Sequence, residues 1–297
     1  MARRKSANLW GWLFVLPTII GLIVLNIYPM IRTIWQSFHR VGDFGLGNEF
    51  VGMDNYERLF AGGIFGAEIW QAAANTIFYT LLEVPLSIVI ALILAVFLNG
   101  KIRGRTTFRV IFFLPMIVAP AAVAMVWRWL FNTEFGLINN VFGIRVSWLS
   151  NPNIALFSLA IIGIWSVIGY NMILFLASLQ DVPRDYYEAA SIDGASPIRQ
   201  FFSITLPLIS PMIFFVTVTR VIAGLQIFDS IFMIMGMGTG GNPALPRTQS
   251  LVYIFYRYAF INRNWGMGAT VVVFLLVLIA LVTAVQMIAQ KKWVHYN

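Results

Sequence analysis

Six long, continuously apolar runs dominate this chain, and no other feature narrows its possible folds as far. They cover residues 9–31, 75–98, 107–131, 154–179, 210–233 and 266–289. Crossing about 30 Å of hydrocarbon takes roughly 20 residues of α-helix, and each run is that long. A helix satisfies its own backbone hydrogen bonds, which lipid cannot do. The competing solution, a closed β-barrel, would need short segments of alternating polarity, and these runs do not alternate. Composition agrees: 11% of residues are charged and 59% hydrophobic, where a soluble domain carries roughly 25% charge. Too little polar surface remains to cover a water-exposed globule. The fold class expected is all-α, a polytopic membrane protein with about six transmembrane helices.

The net charge of +8 does not form one patch, which argues against nucleic acid as a partner. Basic residues sit in short runs between apolar stretches, the pattern of cytoplasmic loops. Six spans put both termini on one side. Placing Arg3, Arg4 and Lys5 inside also places Lys101, Arg103, Arg105, Arg109, Arg184, Arg199, Lys291 and Lys292 inside, eleven basic residues in all. The other side carries seven, namely Arg32, Arg40, Arg58, Arg145, Arg247, Arg257 and Arg263, spread over roughly twice the length. Both termini are therefore expected in the cytoplasm. The first run is too long for a signal-peptide core and no A-x-A-like site follows it, so it reads as an uncleaved span.

The chain has no cysteine, which excludes disulfides, thiolate metal sites and Cys nucleophiles. His39 and His295 are far apart in sequence and suggest no multi-histidine metal site. The glycine-rich segment 236–246 is not a phosphate-cradling loop, because G-x-x-x-x-G-K-[ST] occurs nowhere. It reads as an extracytoplasmic loop, like the long segment 41–70. No cofactor is expected.

The longest connection on the cytoplasmic side, residues 180–207, is patterned unlike its neighbours. Pro183 can open a helix, and 186–192 reads as a short helix bearing Glu188, Ala189 and Ala190. Gly194 permits positive φ and a sharp stop. Ser196-Pro197 starts a second short helix whose Ile198, Phe201, Phe202 and Ile204 can bury one face. Leu206-Pro207 leads into the next span. Ala189 and Ala190 remove bulk so that something can pack closely, and Glu188 offers a charge for a partner's arginine. An amphipathic interfacial helix with solvated charges would fit the same residues.

Glu188-Ala189-Ala190, Gly194 after three residues, Ile204 after nine more and then Leu206-Pro207 resemble the complete EAA motif. That motif belongs to permease subunits of binding-protein-dependent ATP-binding-cassette (ABC) importers. The flanking Asp193-Gly194-Ala195-Ser196 and the run from Ile204 to Pro211 are similar to the carbohydrate-uptake branch. So are Asn75-Thr76, the stretch from Phe108-Arg109 to Leu114-Pro115, and Lys292-Trp293-Val294-His295-Tyr296, as in maltose-type and glycerol-phosphate-type permeases. The resemblance implies a type I importer permease (MetI-like) fold in a bacterial inner membrane, divided into 1–70, a permease core at 71–290 and a tail at 291–297. It implies a second related permease, two copies of a cytoplasmic ATP-binding subunit docked on the EAA loops, and an extracytoplasmic solute-binding protein that delivers a sugar. Glu188, Ala189, Ala190, Asp193, Gly194, Ile204, Leu206 and Pro207 would carry the coupling, and ATP hydrolysis would lie on another chain.

Polar groups inside spans are costly and usually face a cavity or a partner. The fourth run holds Trp165, Ser166, Tyr170 and Asn171, and the fifth holds Arg220, Gln226 and Asp229. Rings, amides and carboxylates are the chemistry that binds sugars, although Ser, Asn and Gln can also bond across helix interfaces. Gln226 and Asp229 would share a face if the helix is continuous. By resemblance, Tyr170 and the group Leu225, Gln226 and Asp229 match positions where maltose-type permeases contact sugar, so Tyr170, Asn171, Leu225, Gln226 and Asp229 are the candidate substrate residues. Arg220 reads as an ion-pair partner, Glu83 and Glu134 as carboxylates able to neutralise basic groups, and Trp127 and Trp129 as interfacial anchors. Alternatives are a permease for glycerol-3-phosphate or another small polar solute and, from other classes, a membrane enzyme or a channel. No His, Cys or paired-carboxylate set supports an enzyme, and a channel needs no coupling loop.

Overall fold

A computed structural model describes residues 2–41, 48–61, 63–100, 102–236 and 241–295, with side chains from Trp12 onward. Lys101, Tyr296, residues 42–47 of the 41–70 segment and residues 237–240 of the glycine-rich segment lie outside the described residues, as do the side chains of Arg3, Arg4 and Lys5. The described chain is helical apart from loops and one two-residue pair of strands. Among the described residues, four helices are long and apolar enough to cross a membrane, or six when each of two bent pairs counts as one span.

Two compact units are present: Met1–Gly66 with Ile254–Leu276, and Ala67–Tyr253 with Val277–Asn297. In the first, α1 (Ala2–Leu22) passes through a π turn at Ile23–Ile27 into α2 (Tyr28–Ser37). Pro29 cannot donate a backbone hydrogen bond, and the wider turn just before it absorbs the mismatch. A short hairpin follows, β1 (His39–Arg40) against β2 (Glu49–Phe50), and then α3 (Asp54–Phe60). Buried Asn55 donates to the Ser37 and His39 carbonyls at 2.9 and 3.1 Å and so closes the end of α2.

The second unit is built on α4 (Ile64–Asn99), whose 36 residues make it the longest helix described. Much of its buried face is small or polar: Ala72, Thr76, Thr80, Glu83, Ser87, Ala91 and Ala95 are buried. Leu81, Val89, Ile93 and Phe97 are exposed. Without a hydrophobic drive between helices in lipid, small residues that let backbones approach are what hold them. Next come α5 (Arg105–Ile117), α6 (Pro120–Leu130), α7 (Leu137–Phe142) and α8 (Ala155–Gln180). The expected single span 107–131 is broken, since α5 and α6 meet at 100°. Pro120 opens α6, and it forces Ala119 out of the helical region to ψ 135°.

After α8 come α9 (Arg184–Ile192), α10 (Pro197–Gln200), a π turn at Phe201–Thr205, α11 (Leu206–Leu208), α12 (Ser210–Leu225), α13 (Asp229–Met235) and α14 (Leu251–Tyr256). The last long helix, α15 (Trp265–Ala289), matches the expected sixth run to within one residue. The fifth run does not stay continuous: α12 ends at Leu225, and α13 begins at Asp229. A buried side chain takes over one of the backbone groups freed there, as Ser250 Oγ donates to the Ile227 carbonyl at 2.6 Å. Trp127 is no interfacial anchor either. It is buried in an apolar cluster, with ring contacts to Phe131 and Trp165.

Among the described residues, two apolar cores lie in this unit. One joins Tyr79 of α4, Leu159 and Ile162 of α8 and Ile231 of α13. The other joins Ala91 and Ala95 of α4, Met172 and Phe175 of α8, and Ile209 and Val216. Gly169 of α8 lies so close to α5 that an added Cβ would meet the Phe112 carbonyl. Backbone cannot yield as a side chain can. Gly169→Val is expected to cost about 1–3 kcal/mol or more, read as a lower thermal midpoint in detergent. Gly21→Val, with nothing within 4 Å of its Cβ, should leave the midpoint within error.

Candidate functional site

The 180–207 segment folds as a helix–turn–helix. Pro183 stands just before α9 in extended conformation (ψ 137°) instead of inside its first turn. Glu188 and Ala189 are exposed on α9, and Ala190 is half-buried. The helix stops at Asp193, and Gly194 has φ +73°. The Ala195 N–H donates to the Ala190 carbonyl at 2.9 Å, bridging the reversed turn. This is the Schellman arrangement, which needs a residue at ease in the left-handed region. Ser196 caps α10 through the Arg199 N–H, and Pro197 takes the first helical position, where its missing donor costs nothing.

Side chains tie the two arms together. Gln200 Nε2 donates to Ser191 Oγ at 3.0 Å and to the Ala195 carbonyl at 3.1 Å. The Tyr187 and Thr205 hydroxyls lie 2.9 Å apart. The outer surface stays open and apolar, with Tyr186, Ile192, Ile198 and Phe202 between 52% and 87% exposed beside Glu188. Ile204, Leu206 and Pro207 are half-buried where the segment meets α12. There the chain bends by 65° between Leu208 and Ser210. The C-terminal motif returns to this joint: the His295 N–H donates to Ser210 Oγ at 2.9 Å, and Trp293 packs edge-on against Phe214.

The candidate substrate residues separate. Tyr170 is half-buried, and Gln226 and Asp229 are exposed. Asn171 and Leu225 are 0% and 3% exposed, so protein encloses their side chains in this conformation. Gln226 caps α12 and Asp229 opens α13, so the argument that they share one helical face fails at the break between them.

Two carboxylates have the partners that their charge required. Arg220 Nη2 of α12 donates to Glu83 Oε1 of α4 at 2.6 Å, with Glu83 fully buried. Glu134 pairs with Arg145 on an exposed surface, where such a pair contributes little. Sequence patterning gave no sign of a cavity of about 730 Å³ at the Ala155 end of α8, remote from α9. Arg128, Asn132, Ser150 and Asn242 are among its lining residues. It is assembled from loops distant in sequence, with Asn242 Nδ2 donating to the Leu149 carbonyl at 3.1 Å.

Comparisons with known proteins extend along nearly the whole chain. It is 33% identical over 295 residues to the sn-glycerol-3-phosphate transport system permease protein UgpA of Yersinia pestis, covering 98% of this chain and 97% of that one. It is 33% identical over 279 residues to the trehalose/maltose transport system permease protein MalF of Thermococcus litoralis, covering 93% and 91%. Among solved structures, a chain of the bacterial alginate ABC transporter, in complex with alginate pentasaccharide-bound periplasmic protein, superposes with a TM-score of 0.85. The match covers 98% of this chain and 97% of that one at 21% identity, which establishes a shared fold. Residues 87–295 match the family model of the binding-protein-dependent transport system inner membrane component. With more than two thirds of its length inside that model, the chain belongs to the family of inner membrane components of binding-protein-dependent transport systems.

Proposed function

We propose that this chain is one permease subunit of an ATP-driven sugar importer and forms half of the translocation path beside a second, related permease. The observation that carries this reading is the 180–207 segment: a rigid helix–turn–helix with an exposed carboxylate, a small-residue surface and apolar flanks, joined by a bend to a membrane helix. Two cytoplasmic ATP-binding subunits dock there, one on each permease, and hydrolysis belongs to them. Glu188 is gripped by a basic group of the ATPase, Ala189 and Ala190 let the surfaces close, and Asp193 and Gly194 shape the turn that presents them. Ile204, Leu206 and Pro207 fasten the segment to α12. Both termini face the cytoplasm, and the cavity at the Ala155 end of α8 faces the solute-binding protein.

ATP binding draws the ATPases together, α9 moves with its ATPase, and the permease rocks from inward-facing to outward-facing. The work comes from the different stability of the two states. Sugar is held near Tyr170, Gln226 and Asp229 by a ring face, an amide and a carboxylate. Asn171 and Leu225, enclosed in the same helices, act by holding those positions. Sugar as cargo is supported by the maltose and trehalose permease among the relatives. A phosphorylated polyol is the second reading, favoured by Arg128 in the outer cavity and by the glycerol-phosphate permease.

Two measurements follow. Gly194→Val places a β-branched residue at φ +73°, a strain of about 1–3 kcal/mol. The variant should insert normally but lose binding-protein-stimulated ATP hydrolysis or release the ATPase on purification. Normal stimulated hydrolysis would remove the segment from coupling. For the substrate site, Tyr170→Ala and Gln226→Ala should each lower uptake several-fold, because one lost hydrogen bond costs about 1 kcal/mol. Basal ATP hydrolysis should be unchanged. Uptake in vesicles at saturating binding protein reads this out, and wild-type rates in both variants would move the site elsewhere.

A further inference from the structure

The Glu83–Arg220 pair joins α4 to α12 in the layer between the two apolar cores. On α4, Glu83 lies between Tyr79 of one core and Ala91 of the other. On α12, Arg220 lies between Val216 of one core and the Ile227 that follows the helix in the other. The contact is half made. Nη2 reaches Oε1, while Glu83 Oε2 and Arg220 Nε are buried with no hydrogen-bond partner among the described residues. A carboxylate and a guanidinium can form a two-bond fork, and unpaired polar atoms in a low-dielectric interior are costly. This conformation therefore forgoes an interaction that a small shift of the two side chains, or of α12 along α4, would recover.

Close packing and two joints frame α12 around this pair. One turn beyond Arg220, Gly224 faces Thr80, and an added Cβ would meet the threonine hydroxyl at 3.0 Å. With no side chain at Gly224, α12 lies against Thr80 with its backbone alone. Joints bound α12 at both ends, a 65° bend beside the 180–207 segment and the break before Asp229. Between them runs α12, one continuous helix from Ser210 to Leu225 that links the coupling segment to Gln226.

We propose that Glu83 and Arg220 are positioning residues for transport. They hold α12 against α4 where the two cores meet, and they exchange between the single bond seen here and a fork as α12 shifts during the cycle. This rests on the alternating-access reading above. A structural ion pair that only fastened the helices would be indifferent to locking them, and an apolar pair of similar volume could replace it, often without loss of stability.

The test uses the assembled importer in vesicles with binding protein. In this cysteine-free chain, Thr80→Cys with Gly224→Cys brings two Cβ positions to 3.4 Å, close to the range a disulfide spans. Oxidation should stop uptake, and a reductant should restore it. Glu83→Met with Arg220→Met should insert and assemble as the wild type does. Its maximal uptake should fall about ten-fold or more while the KM for binding-protein-delivered sugar stays the same. Wild-type uptake with the disulfide closed, wild-type uptake by the double Met variant, or its failure to assemble would each assign the pair to the static fold and overturn the proposal. An unmodified complex without ATP-driven uptake would instead defeat the importer reading, and the proposal with it.

Discussion

Close approach of α4 to its neighbours is the contact on which the rest of the larger unit depends. In a bilayer, exposing leucine to lipid costs nothing, so helices gain only from packing, hydrogen bonds and charge neutralisation. The α4 helix meets this with an inward face of Ala72, Thr76, Thr80, Ala91 and Ala95. Opposing helices contribute glycines: Gly163 is set so close to Tyr79 that a Cβ would collide with its hydroxyl, and Gly224 sits against Thr80. Within that surface one carboxylate is placed at full burial, and α12 supplies the guanidinium it requires.

This packing leaves α12 supported along its length and jointed at both ends. At one joint the C-terminal motif and the 180–207 segment converge on Ser210, whose hydroxyl accepts from His295 and donates to the Pro207 carbonyl at 2.6 Å. At the other, the helix stops beside the residues proposed to meet sugar. A rigid rod between a docking element and a binding element is what coupling over a membrane's thickness requires, because packed interiors transmit displacement instead of absorbing it.

Much of this was legible in the sequence because its causes are local. The apolar runs marked the spans, and the sixth fell within a residue of α15. Gly194 as a left-handed stop and Ser196-Pro197 as a helix start follow from single-residue chemistry, and both stand as expected. Tertiary influences were less visible. Hydropathy gives no break at Val118–Ala119 and only the polar Gln226 at 226–228, yet the backbone turns at both places. Pro120, where the first break falls, was passed over within its apolar run, and the second break is held by Ser250, 23 residues further on. Burial of Asn171, and a cavity assembled from three separate stretches, likewise depend on which helices pack together. The Glu83–Arg220 pair was half legible. Each charge needed a partner, but 137 residues separate them in sequence.

The central claim is that the 180–207 segment lies on the cytoplasmic side as a docking site for the ATPase. Ile192 tests it most directly, being 87% exposed at the end of α9 in a chain without native cysteine. The Ile192→Cys variant is treated with a membrane-impermeant maleimide in right-side-out and inside-out membrane vesicles, with and without the ATP-binding subunits. The account predicts labelling only in inside-out vesicles, and protection when the ATP-binding subunits are bound. Labelling in right-side-out vesicles, or equal labelling with and without those subunits, would contradict it.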